Sequence, residues 1–233
     1  MCDMCGCEDH AHEHEATVPV GQIPVVRDIL DANDQAAQHN RAHFDAHGIT
    51  AINIMASPGA GKTTLLIATI AALKDRMRVD VIEGDVASQV DAARIAATNT
   101  PVVQINTGGG CHLDAPQVHS ALHALPGDDP DVVFIENVGN LICPVSFDLG
   151  AHHKVALLSV PEGDDKPYKC PGIFEAVDLV IVTKVDLLPL MDFDLPAFRA
   201  LVHGLNTRAQ VLTLSAKTGE GLDTWIRWLE TCR

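Results

Sequence analysis

Three observations predict an α/β fold whose mostly parallel sheet is flanked by helices on both faces. Short apolar runs alternate with helical segments along most of the chain, and the first run leads through a glycine-rich loop into a helix. The 233 residues are 47% hydrophobic and only 4% aromatic, which suits one domain with a full aliphatic core and a modest appendage.

The elements follow in order. Residues 1–22 form a polar tail that carries Cys2, Cys5, Cys7, His10, His12 and His14 and offers almost nothing to a core, so it is expected to lack fixed structure unless a metal orders it. Residues 23–233 form the domain. Between Val25 and His47 the residues Val26, Ile29, Leu30, Ala36, Ala37 and Phe44 recur at helical spacing, and Gly48 ends the pattern. This predicts an amphipathic helix packed on the domain. Strands are expected at 50–55, 78–82, 102–105, 131–135, 154–160, 179–183 and 210–214, with helical segments between them. Trp225 and Trp228, three apart, anchor the last helix to the sheet.

Charge and cysteine usage exclude several classes of function. Lys and Arg number 16 against 31 Asp and Glu, a formal net charge of −15 with no basic run, which argues against nucleic-acid or anionic-membrane surfaces and, with 12 histidines, favours cations. No stretch approaches the roughly 20 apolar residues of a membrane span, and no basic segment precedes an apolar core at the N-terminus. A cytoplasmic location is expected. Seven cysteines, an odd and clustered set, suit metal or redox thiols better than a disulfide scaffold.

The segment Ala56-Ser57-Pro58-Gly59-Ala60-Gly61-Lys62-Thr63-Thr64 has the strand–loop–helix setting of a phosphate-binding loop, with Ala56 where the first glycine is usual. Backbone N–H groups from Gly59, Ala60, Gly61 and Thr64 would surround a polyphosphate, Lys62 would reach its β- and γ-phosphates, and the Thr63 hydroxyl would hold Mg²⁺. A three-layer P-loop NTPase follows. Thr183-Lys184-Val185-Asp186, after an apolar strand, resembles the guanine-recognition motif of GTPases, with Thr in place of the commoner Asn. Asp186 would accept from guanine N1–H and the exocyclic amine, and the Lys184 stem would cover the ring. Ser215-Ala216-Lys217 resembles the companion loop that approaches guanine O6. Glu136-Asn137-Val138-Gly139 stands where GTPases carry Asp-x-x-Gly: Glu136 would sit near Mg²⁺ through water, and the Gly139 N–H would sense the γ-phosphate. Asp85, in Glu83-Gly84-Asp85, would hold Mg²⁺ or orient the attacking water. No glutamine stands where one would orient water, so turnover should be slow and Mg²⁺-dependent.

Cys111-His112 and Cys143 follow strand ends on the same side as these loops, and two thiolates with one imidazole would close a site for tetrahedral Zn²⁺ or planar Ni²⁺. A ligand four residues beyond Gly139 would make metal affinity depend on the γ-phosphate, and by linkage the converse. In the tail, Cys2, Cys5 and Cys7 beside the terminal amine could supply three sulfurs and a nitrogen. His39, His43 and His47 repeat every four residues, as do His119 and His123; either row could bind a metal, though solvated helix surface is the simpler expectation. His152 and His153 are expected to be exposed, and Cys170 and Cys232 to be ordinary thiols.

In combination, the C-x-x-C-G-C terminus, Ser-Pro-Gly-Ala-Gly-Lys-Thr-Thr, Glu-Gly-Asp, Gly-Gly-Gly-Cys-His-Leu, Glu-Asn-Val-Gly-Asn-Leu-Ile-Cys-Pro and Pro-Glu-Gly-Asp-Asp-Lys-Pro resemble the HypB family of hydrogenase nickel-insertion GTPases. The resemblance spans essentially the whole chain. It implies a GTPase of the dimerising, signal-recognition-particle-like class that loads nickel into [NiFe]-hydrogenase precursors. It further implies that GTP favours a homodimer, that Cys111, His112 and Cys143 form a metal site near the subunit interface, and that Cys2, Cys5, Cys7 and the terminal amine match a high-affinity nickel site of some members. Partners implied in the same way are a nickel-insertion accessory protein, a nickel storage protein and the hydrogenase large-subunit precursor. The short histidine tract departs from the long histidine-rich members, and segment 161–171, with Lys166 and Lys169, resembles a family element near the nucleotide and the partner subunit. Two rivals remain: a urease-serving nickel GTPase, against which the terminal cysteines and the separated Cys-His and Cys-Pro argue, and a nickel store with a weak GTPase.

Overall fold

The computed structural model describes residues 25–86, 88–126 and 129–232, with side chains from residue 29 onward. The tail ligands Cys2, Cys5 and Cys7, the tract His10, His12 and His14, and the Val26 side chain lie outside these residues. The strands β1 (Thr50–Ala56), β2 (Val79–Asp85), β3 (Val102–Asn106), β4 (Val132–Glu136), β5 (His153–Ser159), β6 (Leu179–Thr183) and β7 (Gln210–Thr213) form one sheet in the order β3-β2-β4-β1-β5-β6-β7. Every neighbouring pair is parallel. All seven carboxyl ends therefore open on one edge, where ligands of such sheets bind.

Parallel strands need crossovers, and α2 (Lys62–Leu73), α3 (Val90–Ala96), α4 (Ala115–Leu122), α5 (Lys166–Lys169), α6 (Pro171–Ala176) and α7 (Leu195–Leu205) lie between strands, while α1 (Val25–His47) precedes β1 and α8 (Leu222–Thr231) follows β7; together they cover both faces. Strand alternation divides the core accordingly. In β4, Val132 and Phe134 pack with α2 and α8 through Leu65, Leu66, Leu73 and Trp225, whereas Val133 and Ile135 pack with Phe44 of α1 and Val118 of α4. A third cluster around Phe174 and Phe198 seats α6 and α7 against β5 and β6. Trp225 is fully buried, its Nε1–H donates to Thr69 Oγ1 at 2.8 Å, and Trp228 stacks on it at 5.3 Å, so α8 is held by the pair that its sequence spacing singled out.

Several expectations need correction. The second strand does not stop at residue 82 but continues through Glu83-Gly84-Asp85, because ladders to β3 and β4 satisfy its backbone while the carboxylates line a cleft. The apolar stripe assigned to α1 is also incomplete: Ile29 is exposed, and the buried stripe includes Asn33 and Asn40. Asn33 bonds the Ala115 N–H and the Asp148 carbonyl, and Asn40 donates to the Ala115 and Leu149 carbonyls. Side-chain amides thus dock this helix by satisfying orphan backbone groups, a role that hydrophobic periodicity does not register. His152 and His153 are half-buried rather than exposed, His152 accepting from the Ala51 N–H at 3.0 Å and meeting Asp45 at 2.9 Å.

Candidate functional site

The turn after β1 requires glycine at two places, since Gly59 has φ +76° and Gly61 φ +99°, a region that a side chain strains. Gly61 caps α2, and Lys62 and Thr63 occupy its first turn, where backbone N–H groups and the helix dipole favour an anion. In front of them lies a cleft of about 420 Å³ lined by Gly59, Gly61, Lys62, Thr63, Glu83, Asp85, Glu136 and Gly139. A second cavity, about 250 Å³, is lined by Ala60, Thr183, Lys184, Asp186, Ser215, Ala216 and Lys217. Gly61, Thr64 and Lys184 line both. A polyphosphate and the base attached to it would therefore lie in adjoining compartments.

The second cavity is tied to the first loop. Thr183 Oγ1 donates to the Ala60 carbonyl at 2.6 Å, and Lys184 Nζ donates to the Gly59 carbonyl at 2.7 Å. Lys184 adopts a left-handed conformation, φ +58°, that carries its side chain across the boundary, and Asp186 lies in the following 3₁₀ turn. Ser215 is buried, its carbonyl accepting from the Gly219 N–H and its Oγ from the Thr218 N–H, which shapes the turn holding Ala216 and Lys217.

At the floor of the cleft, Thr63 Oγ1 donates directly to Glu136 Oε1 at 2.8 Å. Glu136 and Glu83 face each other across the β2–β4 ladder, an arrangement that sequence reasoning did not anticipate for Glu83. Both are nearly fully buried, and among the described residues Oε2 of each lacks a hydrogen-bond partner. Burial, then the Glu136 charge, pushes the Glu83 carboxyl up to about 8; burial, partly offset by Lys62 and the Thr63 hydroxyl, pushes Glu136 up to about 7. Two orphaned acceptors beside a threonine hydroxyl fit a hard divalent cation such as Mg²⁺. Asp85, at the end of β2, accepts from the Val86 N–H at 2.6 Å and lines the same cleft. Asp91 and Arg94 of α3 bridge at 2.9 Å on its rim; no motif pointed to them.

A cluster of side chains that could hold a metal ion lies on the neighbouring loops. The ligating atoms of Cys111, His112 and Cys143 all lie within 4.8 Å of one another, and all three residues are half-buried. Donor atoms 2.0–2.3 Å from one ion fall roughly 3–4 Å apart, so little movement would close the set. Thr107 Oγ1 donates to the Gly110 carbonyl at 2.8 Å and fixes the glycine turn ahead of Cys111. Asn140 Oδ1 accepts from the Cys143 N–H, and His112 stacks on Phe147 at 3.8 Å. Burial lowers the His112 imidazole, and a hydrogen bond to Cys143 together with burial raises the Cys111 thiol. A divalent ion would displace that thiol proton.

One residue that sequence reasoning passed over joins the two regions. Asn137 is fully buried, and its Oδ1 accepts from the N–H groups of Leu113 (3.1 Å) and Val138 (2.9 Å). Glu136 thus touches the phosphate loop while the next residue holds the loop after Cys111-His112. Gly139 then passes so close to Pro58 that a Cβ there would sit 3.1 Å from its atoms.

Comparison with known proteins fits this geometry. Residues 50–213 match the family described as CobW/HypB/UreG, nucleotide-binding domain. The chain is 52% identical to the hydrogenase maturation factor HypB of Escherichia coli K12 over 211 residues, covering 91% of this chain and 73% of that protein. Among solved structures it is similar to Archaeoglobus fulgidus HypB, with TM-score 0.81 and 38% identity over 86% of this chain and 98% of that one. It is also similar to Helicobacter pylori HypB in complex with nickel, with TM-score 0.82 and 36% identity over 86% and 94%. With the family model covering most of the domain and a relative at this identity over nine-tenths of the chain, the protein belongs to the CobW/HypB/UreG family, among its HypB-type hydrogenase maturation factors.

Proposed function

We propose that this family member is a GTP-hydrolysing nickel metallochaperone in the maturation of [NiFe]-hydrogenase, in which the nucleotide state sets the affinity of the Cys111, His112 and Cys143 site. The observation that carries this reading is the exit of β4, where Glu136 bonds Thr63 of the phosphate loop and Asn137 bonds Leu113 of the metal loop. Lys62 and the α2 N-terminus bind the phosphates, Gly139 meets the γ-phosphate, and Asp186 reads guanine beneath the Lys184 stem. Mg²⁺ would be held by Thr63, Asp85 and Glu136 and would supply neutralising charge to the phosphates. Asp85 orients the attacking water. Hydrolysis is slow, as suits a switch rather than a metabolic catalyst.

Nickel is the cargo. Cys111, His112 and Cys143 hold it, or Zn²⁺, with two sulfurs and one nitrogen, while Cys2, Cys5 and Cys7 of tail 1–22 capture it ahead of domain 23–233. The nickel in the Helicobacter pylori relative's structure supports the choice of ion. GTP promotes a homodimer, and the partners are a nickel-insertion accessory protein, a nickel storage protein and the hydrogenase large-subunit precursor, in the cytoplasm. Among the described residues no helix is long and apolar enough to cross a membrane.

The test is a chelator-competition titration of Ni²⁺ and Zn²⁺ on full-length protein with Cys2, Cys5 and Cys7 replaced by serine. It is run nucleotide-free, with GDP and with a non-hydrolysable GTP analogue. The expected result is an affinity difference of about tenfold between the GDP and GTP-analogue states, a coupling of about 1.4 kcal/mol. Equal affinities in all three states would mean two uncoupled activities and favour a storage role.

A further inference from the structure

Two histidine rows that looked independent in the sequence converge where α1 packs on α4. Ring centroids run His47–His43 at 4.3 Å, His43–His123 at 6.4 Å and His123–His119 at 4.7 Å, an unbroken chain of four imidazoles. The Nε2 atoms of His119 and His123 are 3.2 Å apart, about the separation of two nitrogens bound to one ion at roughly 2.1 Å each. Imidazoles that share an ion through such bonds have centroids roughly 5–6 Å apart, so His43, 6.4 Å from His123, would have to move inward to complete a set of three.

Tautomers are set from behind. Both hydrogens of the buried Asn40 amide go to the Ala115 and Leu149 carbonyls, so its Oδ1, 3.1 Å from His119 Nδ1, can only accept. His119 therefore carries its proton on Nδ1 and presents a lone pair at Nε2. His47 Nδ1 lies 2.8 Å from the His43 carbonyl, which likewise only accepts, so His47 also presents Nε2. Metal-ligating histidines are commonly oriented in this way, with the second nitrogen donating to a carbonyl or amide oxygen.

We propose that His119 and His123, with His43 or His47 as third ligand, form a second, nitrogen-only site for a borderline divalent transition-metal ion such as Ni²⁺ or Zn²⁺. The site is separate from Cys111, His112 and Cys143: it lies at the far end of α4, whose N-cap Asp114 follows the Cys111-His112-Leu113 loop, roughly two turns away along the helix. Neutral imidazoles leave the ion's charge uncompensated, so it binds here more weakly than between thiolates. That order of affinities suits a holding site from which an ion passes downhill to sulfur.

The test compares full-length protein with His123→Gln and His119→Gln/His123→Gln, titrated with Ni²⁺ and with Zn²⁺ against a chromophoric chelator. Histidine ¹⁵N NMR follows the Zn²⁺ titration of the parent. The expected result is the loss of one weak equivalent in the double variant, at least a tenfold weakening of that equivalent in His123→Gln, and unchanged thiolate-to-Ni²⁺ absorption. The Nε2 resonances of His119 and His123 should shift together in the parent. Equal numbers of equivalents in all three proteins, or imidazole resonances of these two residues that ignore Zn²⁺, would overturn the proposal. His123 is exposed and its ring meets that of His119 at the surface, so the single variant keeps the test valid should the double variant fold poorly.

Discussion

In the proposed GTPase, base selection would rest on one carboxylate, that of Asp186. It lines the smaller cavity together with Ser215 and Ala216, and a base without the paired donors of guanine would leave it desolvated and unmatched. Asp186→Asn should therefore weaken GTP binding by about 10²-fold or more and favour xanthosine triphosphate, whose C2 carbonyl accepts where guanine donates. Competition binding of GTP, xanthosine triphosphate and ATP to parent and variant checks this. A variant that still preferred GTP would remove Asp186 from base recognition. The variant should leave the Ni²⁺ affinity of the nucleotide-free protein unchanged, since Asp186 is not among the ligands Cys111, His112 and Cys143.

The proposed coupling would run through β4, because Glu136 at its exit bonds Thr63 and the next residue, Asn137, bonds Leu113. Replacing Asn137 by alanine strands the N–H groups of Leu113 and Val138, both buried, at a cost of about 1–3 kcal/mol. Urea unfolding should register that loss, and the chelator titration should show a smaller difference in Ni²⁺ affinity between GDP and GTP-analogue states. Lost stability with an undiminished difference would reduce Asn137 to scaffolding. The strands themselves were legible in the sequence, because buried parallel strands read as continuous apolar runs; only β2 ran three residues beyond its expected end, where carboxylates face the cleft. The loop motifs were legible for a related reason: Gly61, Lys62 and Thr63, or Thr183 through Asp186, are local in sequence. Pairings set by tertiary packing were not. Nothing local says that Glu83 stands beside Glu136, that Asn40 orients His119, or that His43 meets His123.

For the molecule as a whole, this buried pair of carboxylates should link stability to pH and to ligand binding in the cleft. Glu83, raised from its ordinary 4.5 to about 8 by burial and then by Glu136, keeps its proton in the folded chain over a range in which the unfolded chain has released it. Stability should therefore fall as pH rises through that range, by up to about 1.4 kcal/mol per pH unit for this group, and level off above about pH 8. Half-buried His43, His112 and His153, all lowered chiefly by burial, act in the opposite sense, losing stability as pH falls below 6.5. Between pH 6.5 and 8 the unfolded-state imidazoles pass from half charged to neutral, a change that the parent and a Glu83 variant share and that the difference between them removes. Glu83→Gln keeps the shape without the titration, so its stability relative to the parent should rise by up to about 2 kcal/mol between pH 6.5 and 8. Urea denaturation of nucleotide-free parent and variant across that window checks the sign, and parallel curves would show that Glu83 is not the group responsible. With Mg²⁺ and a GTP analogue bound, the parent's slope should flatten, since a dication in the cleft would favour the ionised carboxylates over the protonated ones.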